Sequence, residues 1–392
     1  MRPWSARPRM RYIDIQARLP AQRLVSLDAL RGFNFIWILG GDGAVIALAD
    51  MMRAHGGTLG TAGRFLREQM THPYWEGLRF YDLIFPMFIF ITGVAITLAL
   101  PKLVASRGKT HAHLHVLKRA LLLYALGIVY YGGLSGDFDE IRYVGVLQRI
   151  AICYLAAAFL FLNMDWRGLV AATIALLAGY WAVMTFVPVP GVGVGSYAPD
   201  ANLANWIDSQ LLPGRMWDKT RDPEGLLSTL PAIVTCLLGV LAAVVLRRES
   251  LTASQKSAWL IGGGIALTAA GYLWALQMPF IKSIWTPSFV LATGGISTIL
   301  LGAFHQIIDV WGYKRWTPVL VWIGANAITL YLLNALMGFD VPARRLVGGE
   351  FGDLLDSVVL PGIGALIVNL VALVFVIALA GFLYRRKIFL RV

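Results

Sequence analysis

Charge is what this sequence has least of. Only 14% of its 392 residues are Asp, Glu, Lys or Arg, against 58% hydrophobic, and the mean hydropathy is +0.67. A soluble domain carries about 25% charged residues, and its surface does not shrink fast enough with size to hide so much apolar matter. A soluble globular chain is excluded, and an all-α polytopic integral membrane protein is what remains. Cysteine is nearly absent. Cys153 and Cys236 both lie in apolar runs, which excludes a disulfide framework and a thiolate metal site, so they read as small buried hydrophobes. No Walker loop, Rossmann glycine fingerprint or serine nucleophile elbow is present. Acidic residues are few, 22 against 34 basic, for a net charge of +12. Such an excess usually points to nucleic acid or an anionic surface. Here its placement follows membrane topology, and no nucleic-acid partner is expected.

What the chain does have is length of apolar run. Ten stretches approach the ~20 residues needed to cross a bilayer: about 25–48, 81–101, 118–134, 142–162, 168–187, 228–246, 257–276, 287–308, 317–337 and 358–384. Lys and Arg divide 21 to 11 between the two sets of connections. By the positive-inside rule both termini face the cytoplasm. The organisation expected is a basic arm at 1–24, one transmembrane domain at 25–384, and a basic tail at 385–392. Loops 49–80, 188–227 and 338–357 face outward. The basic arm is not followed by a signal-peptide core and cleavage site, so the first run is expected to be retained. Within 188–227 the piece ANLANWIDSQLL reads as a short helix capped by Asp200.

A charge at bilayer depth is costly and needs a partner or a task. Asp28, Arg31, Asp42 and Asp82 lie inside or at the ends of the first two runs. Asp28 and Arg31, three apart, share a helix face and suit a mutual ion pair. Arg149 has no acid three or four residues away, so it needs an anion from another helix or from a ligand. Asn326 and Asn334 suit hydrogen bonds between helices. Trp206, Trp217 and Trp285 fit either an aromatic belt or a platform for a sugar face. GGDG at 40–43 is either a helix end or a close approach for a ligand, and Gly262, Gly263 and Gly264 read as a helix contact. His111, His113 and His115 alternate in HAHLHV, but between helices, and no metal site is expected. His72 alone would be a solvated loop residue.

Together, SLDALRG, GGD, the block from His72 to Phe90 (HPYWEGLRFYDLIFPMFIF), GVLQRIA, DPEGLLSTLPAI and KSIWTPSFVL resemble the bacterial relatives of heparan-alpha-glucosaminide N-acetyltransferase. The likeness runs from Arg23 to about Leu333. It implies a polytopic enzyme that takes acetyl-CoA from the cytosolic side and acetylates an amino sugar on the other side. By the same likeness His72 falls on the family's catalytic histidine. Asp42 falls where the lysosomal member has asparagine. An ionised aspartate cannot donate to an oxyanion, so Asp42 would either orient His72 or bind the acceptor ammonium. The family's large luminal amino-terminal region is not found in this sequence, so the acceptor expected is a small amino sugar or cell-wall fragment.

The expected site follows. His72 takes the ammonium proton. Lys118, Arg119 and Arg167 supply positive potential for the phosphates of acetyl-CoA, and Arg149 lines the path of its pantetheine arm. Asp82, Trp75, Trp206 and Trp217 hold the acceptor, and Asp28, Arg31 and Asn326 are structural or pocket groups. Direct transfer is preferred over an acetyl-histidine relay. The partners are an amino-sugar acceptor and the lipid bilayer of a bacterial inner membrane, with a homodimer left open. The rival reading is a secondary transporter or flippase, whose buried charges would couple or bind without chemistry.

Overall fold

The computed structural model describes residues 24–135 and 137–390. Residues 1–23 of the basic arm, Gly136, and Arg391 and Val392 of the tail lie outside the described residues. In lipid every backbone polar group must be satisfied within its own segment, and the apolar runs accordingly form helices. Nine are long and apolar enough to cross a membrane among the described residues, and a tenth is a bent pair. The protein is an all-helical, multi-pass membrane protein.

The first span, Val25–Ala54, is 30 residues long and joins α1 (Val25–Ile36) to α2 (Asp42–Ala54) through a wide turn at Trp37–Gly41. Gly40 at φ +115° adopts a backbone that a side chain would resist. Helix α3 (Gly57–Gln69) lies in the loop expected at 49–80. A 3-10 turn at Phe80–Leu83 then leads into α4 (Ile84–Arg107). Helix α5 (Lys109–Tyr130) starts nine residues before the span expected at 118–134 and absorbs HAHLHV. Residues two apart on a helix do not face each other. Among the described residues no three His, Cys, Asp or Glu side chains are placed to hold a metal ion.

Helices α6 (Val146–Asn163) and α7 (Trp166–Phe186) follow. The long loop 188–227 carries α8 (Leu203–Leu211). Its cap is Asn202, whose Oδ1 accepts from the Asn205 amide at 3.0 Å, and not Asp200, which sits two residues too early with φ +58°. Next come α9 (Thr229–Leu246), α10 (Ala253–Ala275) and α11 (Pro287–Phe304). Helices α4 and α9 cross backbone to backbone: Gly93 faces the Cys236 carbonyl and Gly239 faces the Phe90 carbonyl. Such closeness between helices requires small residues. Cys153 and Cys236 are both fully buried thiols. Of the three glycines at 262–264 only Gly264 meets another helix, at Gly295 and Ile299, while Gly262 and Gly263 face open space.

The span expected at 317–337 is broken. Helices α12 (Pro318–Ala325) and α13 (Ala327–Met337) meet at 73°. The break falls on Asn326, whose Nδ2 donates to the Trp322 carbonyl at 3.1 Å. A short amide side chain offers the backbone an alternative to continuing the helix. Gly324 and Gly32 let α12 lie directly on α1, against the Asp28 and Leu320 carbonyls. Helices α14 (Asp340–Val347) and α15 (Glu350–Val358) occupy the loop 338–357. The last helix, α16 (Ile363–Arg385), starts beside Met51 and ends with the Arg385 guanidinium 5.3 Å from the Trp322 ring. Because α12 also covers the first turns of α1, both ends of the described chain lie at one end of the bundle.

Candidate functional site

The site is built on the turn that precedes α4. Asp82 is fully buried there, and its Oδ2 accepts the Arg79 backbone N–H at 3.0 Å. Its Oδ1 lies 2.6 Å from His72 Nδ1. A carboxylate accepts only, so Nδ1 carries the proton and Nε2 keeps its lone pair. Lys282 Nζ lies beside the imidazole, 3.0 Å from Nε2, 3.3 Å from Nδ1 and 3.7 Å from Asp82 Oδ1. Lys282 comes from the loop between α10 and α11. This loop is pinned to the His72 segment by the Gly77 amide donating to the Phe280 carbonyl at 2.8 Å. Burial pulls the Lys282 ammonium below its ordinary range, against the opposing pull of Asp82 and Glu224. Three groups that exchange protons thus meet within hydrogen-bond reach.

Asp42 is not one of them. It accepts from the Tyr81 hydroxyl at 2.9 Å, and the Tyr81 ring centroid is 5.0 Å from that of His72. The role of orienting His72, expected of Asp42, is met geometrically by Asp82. The reason is reach: Asp42 starts α2 after the wide turn, whereas Asp82 sits ten residues from His72 in the turn that folds under it.

A second charged cluster lies beside the first. Arg142 is 2% exposed. It pairs bidentately with Asp222, Nε to Oδ2 at 3.0 Å and Nη2 to Oδ1 at 2.8 Å, and reaches Glu224 Oε2 at 2.7 Å. The Tyr131 and Trp217 rings stand 4.4 and 4.8 Å from its guanidinium. Burial pulls that guanidinium down, but hydrogen-bonded Asp222 and nearby Glu224 outweigh it and hold it above its usual value. Burial also pushes the Glu224 carboxyl up, against Arg149, and takes the Tyr131 hydroxyl to about 12.

A cavity of about 760 Å³ runs from this end into the bundle, within the size range of small-molecule and cofactor sites. His72, Asp82, Lys282, Glu224, Trp75 and Trp217 line its one end, and Arg31, Arg119 and Asn326 line the other. Arg31 pairs with Asp28 at 3.3 Å and donates to the Gly324 carbonyl at 3.4 Å. The Arg119 guanidinium lies 4.8 Å from the Tyr154 ring.

Other expected site residues stand apart. Lys118 and Arg167 are exposed and do not line the cavity. Trp206 is exposed on α8, also away from it. Arg149 lies behind the wall, 1% exposed, donating to the Gly225 carbonyl at 3.1 Å and to the Ser228 hydroxyl, with its guanidinium 5.0 Å from the Trp285 ring. Trp285 is itself wholly buried, so it belongs to the core and not to an aromatic belt. Lys282, Asp222 and Glu224 went unselected in the sequence, although each stands in one of its distinctive blocks, KSIWTPSFVL and DPEGLLSTLPAI.

The loop helix α8 gives a pH prediction. Asp208 is 1% exposed and burial pushes its carboxyl from 3.8 to about 7, against the Leu226 amide that donates to it at 2.8 Å. A carboxyl pKa raised by folding means that the fold holds a proton which the unfolded chain releases. Its stabilising effect is complete below about pH 4 and is lost as pH climbs through about 7, at ~1.4 kcal/mol per pH unit in that window. Thermal unfolding followed from pH 4 to pH 8 should show a falling midpoint. Asp208→Asn, which keeps the acceptor oxygen, should flatten part of the slope.

Residues 23–132 match the family described as "Domain of unknown function (DUF5009)". Heparan-alpha-glucosaminide N-acetyltransferase of Mus musculus is 26% identical over 380 residues, covering 82% of this chain and 56% of the mouse protein. The Homo sapiens protein of the same name is 27% identical over 380 residues, with 82% and 55% covered. The chain spans about half the length of these curated relatives. It is a distant relative of the heparan-alpha-glucosaminide N-acetyltransferases.

Proposed function

We propose that this protein is a transmembrane N-acetyltransferase that moves the acetyl group of acetyl-CoA, entering from the cytoplasm, to the amine of glucosamine or a related amino sugar on the periplasmic side of a bacterial inner membrane. The observation that carries this reading is the His72–Asp82–Lys282 cluster at one end of a cavity reaching the other half of the bundle. The 21-to-11 division of Lys and Arg supports cytoplasmic termini.

Amine acetylation needs a free amine, an activated carbonyl and a stabilised oxyanion. The thioester is already activated. Asp82 holds the His72 Nδ1–H and supports the imidazolium that forms when Nε2 takes the acceptor's proton. The amine nitrogen then bonds to the carbonyl carbon and the carbon–sulfur bond breaks; the proton that this nitrogen sheds on becoming an amide goes to the sulfur, so CoA leaves as its thiol, and the imidazolium returns the ammonium's proton to water. Lys282 Nζ lies beside the imidazole, close to where the acceptor ammonium would approach Nε2. Displaced by the acceptor, its Nζ remains beside the reacting carbon and can donate to the oxyanion. Trp75 and Trp217 flank the acceptor end, where a sugar ring would stack, and Glu224 lies beside them. Arg119 is the expected cation nearest the opposite end.

The test is transfer of labelled acetyl from acetyl-CoA to a panel of amino sugars by the full chain in bilayer discs. Acetylated amino sugar is the result expected. A protein that retains CoA yet acetylates no member of the panel would count against the reading. Transport is the second reading, favoured by the broken span, since discontinuous helices recur at transporter binding sites. Unmodified labelled amino sugar accumulating inside proteoliposomes would support it instead.

A further inference from the structure

We propose that the same site also transfers acetyl to oxygen, and that a neutral sugar hydroxyl is its second acceptor. This rests on the acetyl-transfer reading above and goes beyond its amine. An acceptor ammonium calls for an unmatched carboxylate, and among the described residues the His72 end of the cavity offers none. The acids that line it are Asp82, Asp218 and Glu224. Asp82 Oδ1 lies 2.6 Å from His72 Nδ1 and 3.7 Å from Lys282 Nζ, and its Oδ2 takes the Arg79 amide. Asp218 pairs with Arg221 at 3.3 Å. Glu224 and buried Asp222 share Arg142, and the Arg149 guanidinium behind the wall acts on Glu224 as well. Each carboxylate is thus matched by a cation.

The cation beside the base is held in place. Lys282 Nζ sits 3.0 Å from His72 Nε2 and 3.3 Å from Nδ1. Lys282 belongs to the turn 281–286, which is closed by two backbone bonds. The Thr286 amide donates to the Ile281 carbonyl at 3.3 Å, and the Trp285 amide to the Lys282 carbonyl at 3.1 Å. Trp285 stands at φ +52°, a left-handed backbone that a bulky residue resists, and its wholly buried ring fixes it there. A second ammonium brought to Nε2 meets the Lys282 charge at close range. A hydroxyl meets complementary groups instead. The imidazole accepts its proton, and Nζ donates to oxygen where negative charge develops.

The hydroxyl proton passes to His72 Nε2, and the oxygen bonds to the carbonyl carbon of the thioester. The carbon–sulfur bond breaks, the imidazolium gives the proton to the sulfur, and CoA leaves as its thiol. The sugar keeps an acetate ester, and no further reactant is consumed. His72 is half-exposed at the cavity end, so a hydroxyl can reach it from outside.

The test uses the full chain in bilayer discs, labelled acetyl-CoA, and two sugars without a free amine, methyl glucoside and N-acetylglucosamine. Neutral hydroxylamine cleaves esters and spares amides, so it reports which bond has formed. Hydroxylamine-labile acetyl on both sugars is the expected result, falling ~10²–10⁴-fold in His72→Ala as for any positioned base. Lys282→Met then separates the acceptors. Removing a cation about 4 Å from an ammonium should lower the KM of glucosamine about fivefold in water-like surroundings. The KM of methyl glucoside should not fall, while its kcat should drop ~10²–10³-fold with the loss of an oxyanion donor. A KM for glucosamine that does not fall relative to that of methyl glucoside would overturn the charge matching, and the second acceptor with it. Glucosamine acetylated at nitrogen, with both amine-free sugars untouched, would overturn oxygen transfer and leave the amine reading standing. Ester formed at an undiminished rate in His72→Ala would place it outside this site and overturn the proposal. No acetylation of any sugar would end both readings. The unaltered protein decides by itself if a variant does not fold.

Discussion

Replacing His72 by alanine is expected to slow acetyl transfer to an amino sugar by ~10²–10⁴-fold, the usual contribution of a positioned general base, while CoA is still retained. The side chain is roughly half exposed, at 46%, so its removal leaves no buried cavity; Asp82 loses one donor but keeps the Arg79 amide and Lys282, so the unfolding temperature should fall only modestly. Asp82→Asn should follow it in rate. The substitution keeps the shape but removes the charge that fixes the Nδ1–H tautomer and supports the imidazolium. Unlike His72, Asp82 is wholly buried and accepts the Arg79 amide, so part of its effect should show as lost stability. Direct transfer and a relay separate in the absence of acceptor. Acetyl-CoA alone should give neither lasting labelled protein nor a burst of free CoA, and stoichiometric acetyl trapped on His72 would overturn direct transfer. Normal turnover in His72→Ala would overturn both schemes and return the buried charges to transport.

The helices were legible because bilayer depth imposes one pattern, a run of apolar residues long enough to cross, and each expected run corresponds to a helix or to the broken pair. The ends were legible only where a charge or proline marks them. Helix α5 reaches back to Lys109 because HAHLHV is polar enough to read as loop yet does nothing to break a helix. The break at Asn326 was not legible: asparagine in an apolar run serves equally as a contact between helices, and the Trp322 carbonyl that takes its Nδ2 is a property of the bend itself. At the site, Asp82 was singled out for its charge, but its pairing with His72 depends on a turn that folds back over ten residues. Lys282 was out of reach because it lies 210 residues from His72, and no local pattern joins them. Arg149 is a different case, for its Nε and Nη1 are buried without a hydrogen-bond partner among the described residues. A charge without a neighbouring acid suggested an anion from another helix or from a ligand, and around one of its nitrogens and its face the fold places a carbonyl, a hydroxyl and a tryptophan ring.

Arg142→Ala should be the most damaging substitution to the fold, costing ~3–5 kcal/mol, because removing one partner leaves buried carboxylates unpaired. Asp222 is fully buried beside Arg142 and Glu224 is 9% exposed in its side chain, so water cannot replace the guanidinium. Asp222 also accepts the Trp217 and Glu224 amides at 2.9 Å each, which ties loop 188–227 to the cavity wall. The loss should therefore start at the His72 end of the bundle, read as early hydrogen exchange in residues 215–226 before the transmembrane helices open. A paired change separates charge from shape. Arg142→Met with Asp222→Asn and Glu224→Gln removes all three charges at similar volume and should recover much of the stability, since a buried ion pair is often no better than an apolar replacement. The triple variant should nevertheless acetylate poorly if Glu224 faces the acceptor as its place in the cavity wall indicates. Unfolding of Arg142→Ala at the temperature of the unaltered protein would show that the cluster does not hold this loop. Full acetylation by the triple variant would remove Glu224 from the acceptor end.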